Sequence, residues 1–242
     1  MDLKKLIYKQ ALHLKRITLK REESPYIFHA SEAGKCIRSL VQNRRGKFPD
    51  REPLPLTKQA ELEMLFNDGR MHQRAITEYL FQAPGVHITS IEETKVMHLA
   101  NPDNSISIVI VGHPDGVVYE TKLKERWIVE IKGLNHFACQ KLKDGDVDTL
   151  KSVYYHAIPQ SRMYSRMFDT KGAVILVKNK NTSVIYQFII PRDEEAELRI
   201  IAKFIRVAQT CKDNLDMPSC DWTKGDRNTN FCDYPNDCGV GR

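Results

Sequence analysis

The sequence predicts a mixed α/β fold, a sheet of about five strands with helices on its faces. Two observations lead to this class. The predicted elements follow one another as helix, strands, helix, strands and helix, an order typical of a sheet covered by helices. The stretch 111–133, V-G-H-P-D-G-V-V-Y-E-T-K-L-K-E-R-W-I-V-E-I-K-G, has the pattern of two short strands joined by a polar loop, and we call it the central hairpin.

The composition is that of one globular domain. The chain has 242 residues, of which 41% are apolar, enough to bury a single sizeable core. No run of about eighteen apolar residues occurs, so we expect no membrane-spanning helix. The N-terminus is charged and lacks an apolar stretch with a cleavage site, which favours a cytoplasmic protein. The net charge of +6 is compatible with a nucleic-acid partner but does not select one.

The first half of the chain is predicted to be mainly helical. Apolar spacing predicts a helix from Leu3 to about Lys20 and a long helix over 57–81. Ser31 would cap a further helix that carries Cys36 and ends near Gly46. The proline-rich stretch after that helix, K-F-P-D-R-E-P-L-P-L, is expected to be a loop.

The second half alternates strands and helices. Segments rich in β-branched residues predict strands at 86–94, 105–111, 172–177 and 183–190, in addition to the two strands of the central hairpin. Helical spacing predicts helices over 147–167 and 194–211. The tail from Pro218 onward, rich in Cys, Asp, Asn and Gly, shows no periodicity.

The central hairpin carries a group of charged residues that would converge. Side chains alternate along a strand, so Glu130 and Lys132 share one face while Ile131 points into the core. Asp115 begins the neighbouring strand, just after a G-H-P bend. Strand pairing would bring Asp115, Glu130 and Lys132 to one spot, with the composition of a hard-cation site that activates water. The alternative is a surface hairpin with a scattered salt bridge.

The order of these residues resembles the PD-(D/E)XK nuclease superfamily, whose signature is an Asp followed by an acid-x-Lys at a strand end. The resemblance implies a restriction-endonuclease-like sheet and a metal-dependent nuclease in which Asp115, Glu130 and Lys132 are catalytic. It also implies that Asp115, Glu130 and the backbone carbonyl of Ile131 bind Mn²⁺ or Mg²⁺.

Two further motifs resemble the RecB-like branch of this superfamily. The sequence G-R-M-H at 69–72 matches a G-x-x-H motif, which implies that His72 is a further metal ligand. The sequence Q-S-R-M-Y matches a Q-x-x-x-Y motif, which implies that Gln160 and Tyr164 contact DNA near the active site. From the residues alone, a helical His facing the core and an ordinary amphipathic helix stay open as alternatives.

The cysteines lie mainly at the two ends of the chain. Cys36 is near the N-terminus and three more crowd the C-terminus, while Cys139 and Cys211 stand apart. Four thiolates would suit a tetrahedral zinc or a 4Fe–4S cluster that ties the chain ends together, and ordinary free thiols are the alternative. A protein without export signals favours thiols or metal ligation over disulfides.

The cysteine pattern resembles RecB-like iron–sulfur exonucleases, including the CRISPR-associated family and its phage-borne relatives. The resemblance implies a structural 4Fe–4S cluster on Cys36, Cys220, Cys232 and Cys238, the last two in a C-x5-C spacing. The chain departs from the family at Thr229, where another Cys is usual. Cys220 is the expected substitute and Cys211 the reserve.

Together these motifs predict one RecB-like nuclease domain over 1–242, with 22–56 and 211–242 forming the iron–sulfur clasp. The resemblance implies a DNA exonuclease that acts on single-stranded ends, with endonuclease activity possible and partners in DNA recombination or CRISPR adaptation. Arg38, together with Arg44, Arg45 and Lys47, is a candidate for phosphate contacts. A non-catalytic DNA-binding or assembly subunit is the alternative, and a zinc-clasped structural protein is a third.

Overall fold

The structure, a computed structural model, describes residues 3–13, 24–47, 54–222 and Tyr234. The elements in chain order are α1 (Leu3–His13), β1 (Ile27–His29), a 3-10 helix (Ala30–Glu32), α2 (Ile37–Arg44), α3 (Leu56–Gln82), β2 (Val86–Ser90), β3 (Lys95–Ala100), β4 (Ser107–Gly112), β5 (Gly116–Glu120), β6 (Glu125–Leu134), α4 (His136–Cys139), α5 (Val147–Tyr154), α6 (Ala157–Phe168), β7 (Gly172–Asn179), β8 (Ile185–Pro191) and α7 (Glu194–Lys212).

The larger sheet has five strands in the order β2-β5-β6-β7-β8, which confirms the predicted mixed α/β class. β6 and β7 are parallel, and the other neighbours in this sheet are antiparallel. A parallel pair needs a long crossover connection, which the helices α4, α5 and α6 supply here. The antiparallel pairing of β5 with β6 forms the central hairpin that the sequence predicted.

A second sheet of three strands, in the order β1-β4-β3, was not predicted. β4 pairs with β1 in parallel and with β3 in antiparallel. The predicted strand over 86–94 ends early at Ser90, because the chain turns at Glu92, whose φ of 47° is left-handed. The short β1 brings the segment after it to the end of β4.

Apolar side chains are buried on both faces of the larger sheet. On one face, Val117 and Ile128 join a large core with Met163 of α6 and Phe204 of α7. On the other face, a smaller cluster packs Ile131 and its sheet neighbours against Ile76 of α3. Alternation along β6 therefore buries Ile131 on one face of the sheet, as the sequence predicted, and the helix that covers this face is α3.

The helices agree with the sequence except at two places. α3 confirms the long helix predicted over 57–81. The predicted helix over 147–167 is two helices, α5 and α6, separated at Tyr155 and His156. Ser31 does not cap α2: Ser31 lies inside the 3-10 helix, and the residue before α2 is Cys36.

The predicted extension of α1 to Lys20 lies outside the described residues, as does most of the C-terminal tail. Among the helices that the structure describes, none is long and apolar enough to cross a membrane.

Candidate active site

Strand pairing places Asp115 beside Glu130 of β6. Gly116 pairs with Val129 in the antiparallel ladder, so the residue before Gly116 falls opposite Glu130. The backbone N–H of Ile131 donates a hydrogen bond of 2.5 Å to Oδ2 of Asp115. The two carboxylates that the sequence singled out therefore lie together, although they are distant from each other along the chain.

Glu130 is the most enclosed member of the group, with 1% of its surface exposed. Its Oε1 accepts a hydrogen bond from Lys132 Nζ and another, of 3.0 Å, from Gln160 Nε2. Gln160 Nε2 also lies 3.0 Å from the Tyr164 hydroxyl, to which it donates. Within the described part of the chain, Glu130 Oε2 is buried and has no hydrogen-bond partner.

The environment shifts the pKa values of these groups. Burial and the negative charge of Glu130 raise the pKa of Asp115 to about 7, against the opposing effects of Lys132 and the Ile131 amide. Burial disfavours the charge on Lys132, but Glu130 and Asp115 outweigh burial and hold the pKa of Lys132 above its ordinary value. Burial, and then the charge of Glu130, raise the pKa of the Tyr164 hydroxyl.

These side chains open into a cleft of about 260 Å³. The end of β1 and the 3-10 helix form one wall, and the end of β4 with its G-H-P bend forms another. The remaining walls come from α3, the turn after β2 and α6. The lining residues beyond the predicted ones are His29, Ala30, Ser31, Gln73, Glu92, Val111, Gly112 and His113.

Among the lining residues that sequence reasoning missed, Gln73 and Glu92 act on the predicted carboxylates. Gln73 Nε2 donates to Asp115 Oδ1 at 2.9 Å and to Glu92 Oε1 at 3.2 Å, so Gln73 links two carboxylates. The charge of Glu92 contributes to the raised pKa of Asp115. Glu92 lies in a turn and Gln73 lies inside a long helix, and neither position carries a local pattern that predicts its partner.

His72 does not line the cleft. It lies near Gly133, where an added Cβ would be 3.6 Å from His72 Cδ2. Burial and the charges of Lys178 and Lys180 lower the pKa of His72. The structure therefore brings Gln73, and not its neighbour His72, to Asp115, because consecutive residues of a helix face different directions.

The basic residues proposed to contact phosphates lie away from the cleft. Arg38 is half-buried and donates to the carbonyl of Pro218 at 3.4 Å. Arg45 donates to the carbonyl oxygens of Thr210 and Leu215, at 2.9 and 2.6 Å.

The expectation for Arg44 was wrong. Its guanidinium is buried and donates to both carboxylate oxygens of Glu32, at 3.1 and 2.7 Å. A buried, bidentate ion pair cannot offer its charge to a surface phosphate. Arg44 instead holds the 3-10 helix against the end of α2.

Two of the four cysteines of the predicted clasp lie together. Cys36 Sγ and Cys220 Sγ are 3.5 Å apart, and the Asp221 N–H donates to Cys36 Sγ at 3.4 Å. Burial raises the pKa of the Cys36 thiol to about 11. Cys232 and Cys238 lie outside the described residues. Among the residues that the structure does describe, no three His, Cys, Asp or Glu side chains are grouped so as to hold a metal ion.

No family model matches the sequence, and no curated protein matches it significantly. Several solved structures are similar to it in fold. The crystal structure of SSO0001 covers 99% of this chain and 97% of its own, at 13% identity and a TM-score of 0.54. At this identity the similarity shows a shared fold.

Two exonucleases are also among the structural neighbours, at lower TM-scores. The alkaline exonuclease LHK-Exo from Laribacter hongkongensis, in complex with dAMP, covers 79% of this chain and 90% of its own, at 13% identity and a TM-score of 0.49. A phage-related exonuclease from Haemophilus somnus 129PT covers 78% of this chain and 94% of its own, at 19% identity and a TM-score of 0.43.

Proposed function

We propose that this protein is a metal-dependent deoxyribonuclease that hydrolyses phosphodiester bonds in the cleft formed by Asp115, Glu130 and Lys132. One observation carries the proposal. Among the described residues, Glu130 Oε2 is buried without a hydrogen-bond donor, beside a second carboxylate and on the same face of β6 as Lys132. Burying such an oxygen is costly unless a cation or donor satisfies it.

The residues of the cleft fit a divalent cation. Two buried carboxylates repel each other: after burial, the charge of Glu130 is the main cause that raises the pKa of Asp115, and Lys132 opposes it. Asp115, Glu130 and the carbonyl of Ile131 would hold the ion, and such oxygen ligands suit Mg²⁺ or Mn²⁺. The bound ion supplies a Lewis acid that polarises the scissile phosphate and lowers the pKa of water. His72 as a further ligand stays a prediction.

Lys132 is placed to stabilise charge. Because Glu130 and Asp115 hold the pKa of Lys132 above its ordinary value, the ammonium keeps its proton at neutral pH. It therefore offsets negative charge that develops on the phosphate oxygens during attack, and it orients the attacking water, rather than accepting a proton from it.

Gln160 and Tyr164 position Glu130. Gln160 Nε2 donates to Glu130 Oε1 and to the Tyr164 hydroxyl, which leaves the other oxygen of Glu130 directed to a ligand. Both side chains also line the cleft, where they would contact the DNA strand. The basic charge of the chain and the order of its motifs favour DNA, and we propose single-stranded ends as the substrate.

Digestion of labelled single-stranded DNA with Mn²⁺ or Mg²⁺, with and without EDTA, tests this function. We expect cleavage that EDTA abolishes, and loss of cleavage with retained DNA binding in Asp115→Asn and Lys132→Met. Asp148→Asn is the matched control, because its side chain is exposed on α5. Full cleavage by Asp115→Asn would refute the assignment, and DNA binding without any cleavage by the wild type would favour a non-catalytic subunit.

The balance between exonuclease and endonuclease activity needs a second substrate. Free-ended and end-blocked strands of the same sequence separate the two. An exonuclease degrades only the free-ended strand, whereas endonuclease activity cuts both.

We also propose that Cys36, Cys220, Cys232 and Cys238 hold a 4Fe–4S cluster with a structural role. The support is that Cys36 Sγ and Cys220 Sγ lie 3.5 Å apart, so two of the four proposed ligands are together although they are far apart in the chain. The cluster would tie 22–56 to 211–242 within one nuclease domain. A cytoplasmic location and partners in DNA recombination or CRISPR adaptation accompany this proposal.

A further inference from the structure

A second groove, of about 550 Å³, lies on another side of α6 from the cleft. Gln160 and Tyr164 of α6 line the cleft, whereas Pro159 and Arg162 line the groove. α7 forms the opposite wall, and the segment that leads into α2 closes one end. The groove and the cleft therefore share a helix but present different side chains of it.

Four cationic side chains line this groove: Arg162, Arg199, Lys203 and Arg206. The three from α7 are four and three residues apart, so they lie on one face of the helix. Arg162 pairs with Asp193 at 3.1 Å, and Arg199 pairs with the exposed Glu195. Lys203 and Arg206 have no carboxylate ion pair within the described part of the chain.

Lys203 forms the floor of the groove. Its Nζ donates to the carbonyl oxygens of Ala33 and Lys35, at 2.7 and 2.8 Å, and burial lowers the pKa of this ammonium. An ammonium has three donors, so one is left for a ligand. The one carboxylate among the described lining residues, Asp221, already accepts a hydrogen bond of 2.7 Å from the Ile37 N–H. The lining therefore carries more positive than negative charge.

An aromatic side chain stands at the rim. Tyr155 lines the groove, is 37% exposed, and is held by an edge contact with His156 at 5.8 Å between ring centroids. A cationic groove with an exposed aromatic ring is the combination that binds single-stranded nucleic acid: the cations contact phosphates and the ring stacks on a base.

We propose that this groove binds a segment of single-stranded DNA outside the catalytic cleft. The inference rests on the proposed nuclease function. The 3-10 helix separates the two sites, since the cleft is lined by Ala30 and Ser31 and the groove by Ala33. Passing over one helix covers about 10–12 Å, a distance that a few nucleotides of a single strand can span. One strand can therefore occupy both sites.

The test is fluorescence anisotropy in EDTA, which prevents cleavage, with oligothymidylates of about 4 and about 20 nucleotides. The variant Arg199→Glu/Arg206→Glu reverses two charges of the groove. We expect it to weaken binding of the long strand at least ~10-fold, with the salt slope reduced by ~0.7 for each phosphate that the variant no longer neutralises. Binding of the short strand is expected to stay unchanged.

Lys122→Glu/Lys124→Glu is the matched control, since it makes the same change of net charge in the exposed turn between β5 and β6. Tyr155→Ala tests stacking separately, with an expected loss of ~5–150-fold for one base. Thermal melts check that each variant is folded.

The proposed groove site would be wrong if the groove variant bound the long strand as tightly as the wild type does. It would also be wrong if the control variant lost as much affinity as the groove variant. In both cases, metal-dependent cleavage by the wild type would leave the proposed nuclease function standing. A wild type that neither binds nor cuts DNA would defeat both proposals.

Discussion

The Ile131 amide donates to Oδ2 of Asp115 at 2.5 Å, and this bond joins the two halves of the candidate site. It exists because the register of β5 against β6 sets Gly116 opposite Val129. With one oxygen of Asp115 fixed by the amide, the other accepts from Gln73 at 2.9 Å. The carboxylate is thus oriented before any cation binds, which is the usual condition for a precise metal site.

Replacing Gln73 by Ala is expected to lower kcat/KM for single-stranded DNA by about 10–100-fold, the usual cost of removing a residue that orients a metal ligand. The variant removes the donor shared by Asp115 and Glu92, so Asp115 keeps only the bond from the Ile131 amide and its orientation is less fixed. Gln82→Ala is the control, because Gln82 is an exposed residue of the same helix. Equal rates for the two variants would exclude an orienting role for Gln73.

The stability of the metal-free protein should depend on the protonation of Asp115. Its pKa is about 7 in the folded protein and near the ordinary 3.8 when unfolded. Between these values the folded state keeps a proton that the unfolded state releases, so this contribution to stability is present at low pH and is lost as the pH rises toward 7.

Melting temperatures of the wild type and of Asp115→Asn in EDTA, across this pH range, measure that contribution. We expect the advantage of Asp115→Asn to grow as the pH rises, by about 2–4 °C for each kcal/mol. Because a cation displaces the proton, stabilisation by Mn²⁺ should also increase with pH in the wild type. A pH-independent difference between the two proteins would contradict the raised pKa.

Two glycines give a matched test of packing behind the site. A Cβ on Gly112 would lie 2.8 Å from Tyr164 Cε1 and 3.0 Å from Met167 Sδ, whereas a Cβ on Gly69 meets no atom within 4 Å. Gly112→Ala should cost about 1–3 kcal/mol in urea unfolding. It should also reduce cleavage, because Tyr164 would be pushed from its place.

Gly69→Ala, in the interior of α3, should instead be neutral or stabilise the protein by about 0.5–1 kcal/mol. The two substitutions add the same methyl group, so the contrast isolates the space available at each position. A destabilisation of similar size in both variants would show that the close approach at Gly112 has no effect.

If the four cysteines hold a 4Fe–4S cluster, the purified protein contains iron and sulfide. Protein purified without oxygen should contain about four iron and four sulfide per chain and be brown. Cys36→Ala and Cys220→Ala should lose the iron, whereas Cys139→Ala, which removes a buried thiol elsewhere, should keep it. Stoichiometric zinc in a colourless protein would show a zinc site in place of the cluster. Absence of both metals would show that Cys36 and Cys220 are only neighbouring thiols. Cys211→Ala tests the reserve ligand.

Sequence reasoning succeeded where the signal is local. The alternation around Ile131 predicted its burial, and α3 was predicted from apolar spacing. It failed where contacts with another part of the chain determine the structure. β3 is a strand because β4 pairs with it along its whole length. Arg44 is of a residue type that often contacts phosphates, but it is buried in an ion pair with Glu32.

The sequence by itself determined the mixed α/β class, the central hairpin and the identity of the charged residues, because the period of strands and helices is written in consecutive residues. Only the tertiary structure decided which residues share the cleft. Gln73 of α3 bonds to both Asp115 and Glu92, because α3 packs against the sheet there and the chain turns after β2. Such contacts depend on strand register and helix packing, which join residues far apart in the chain and leave no periodic trace.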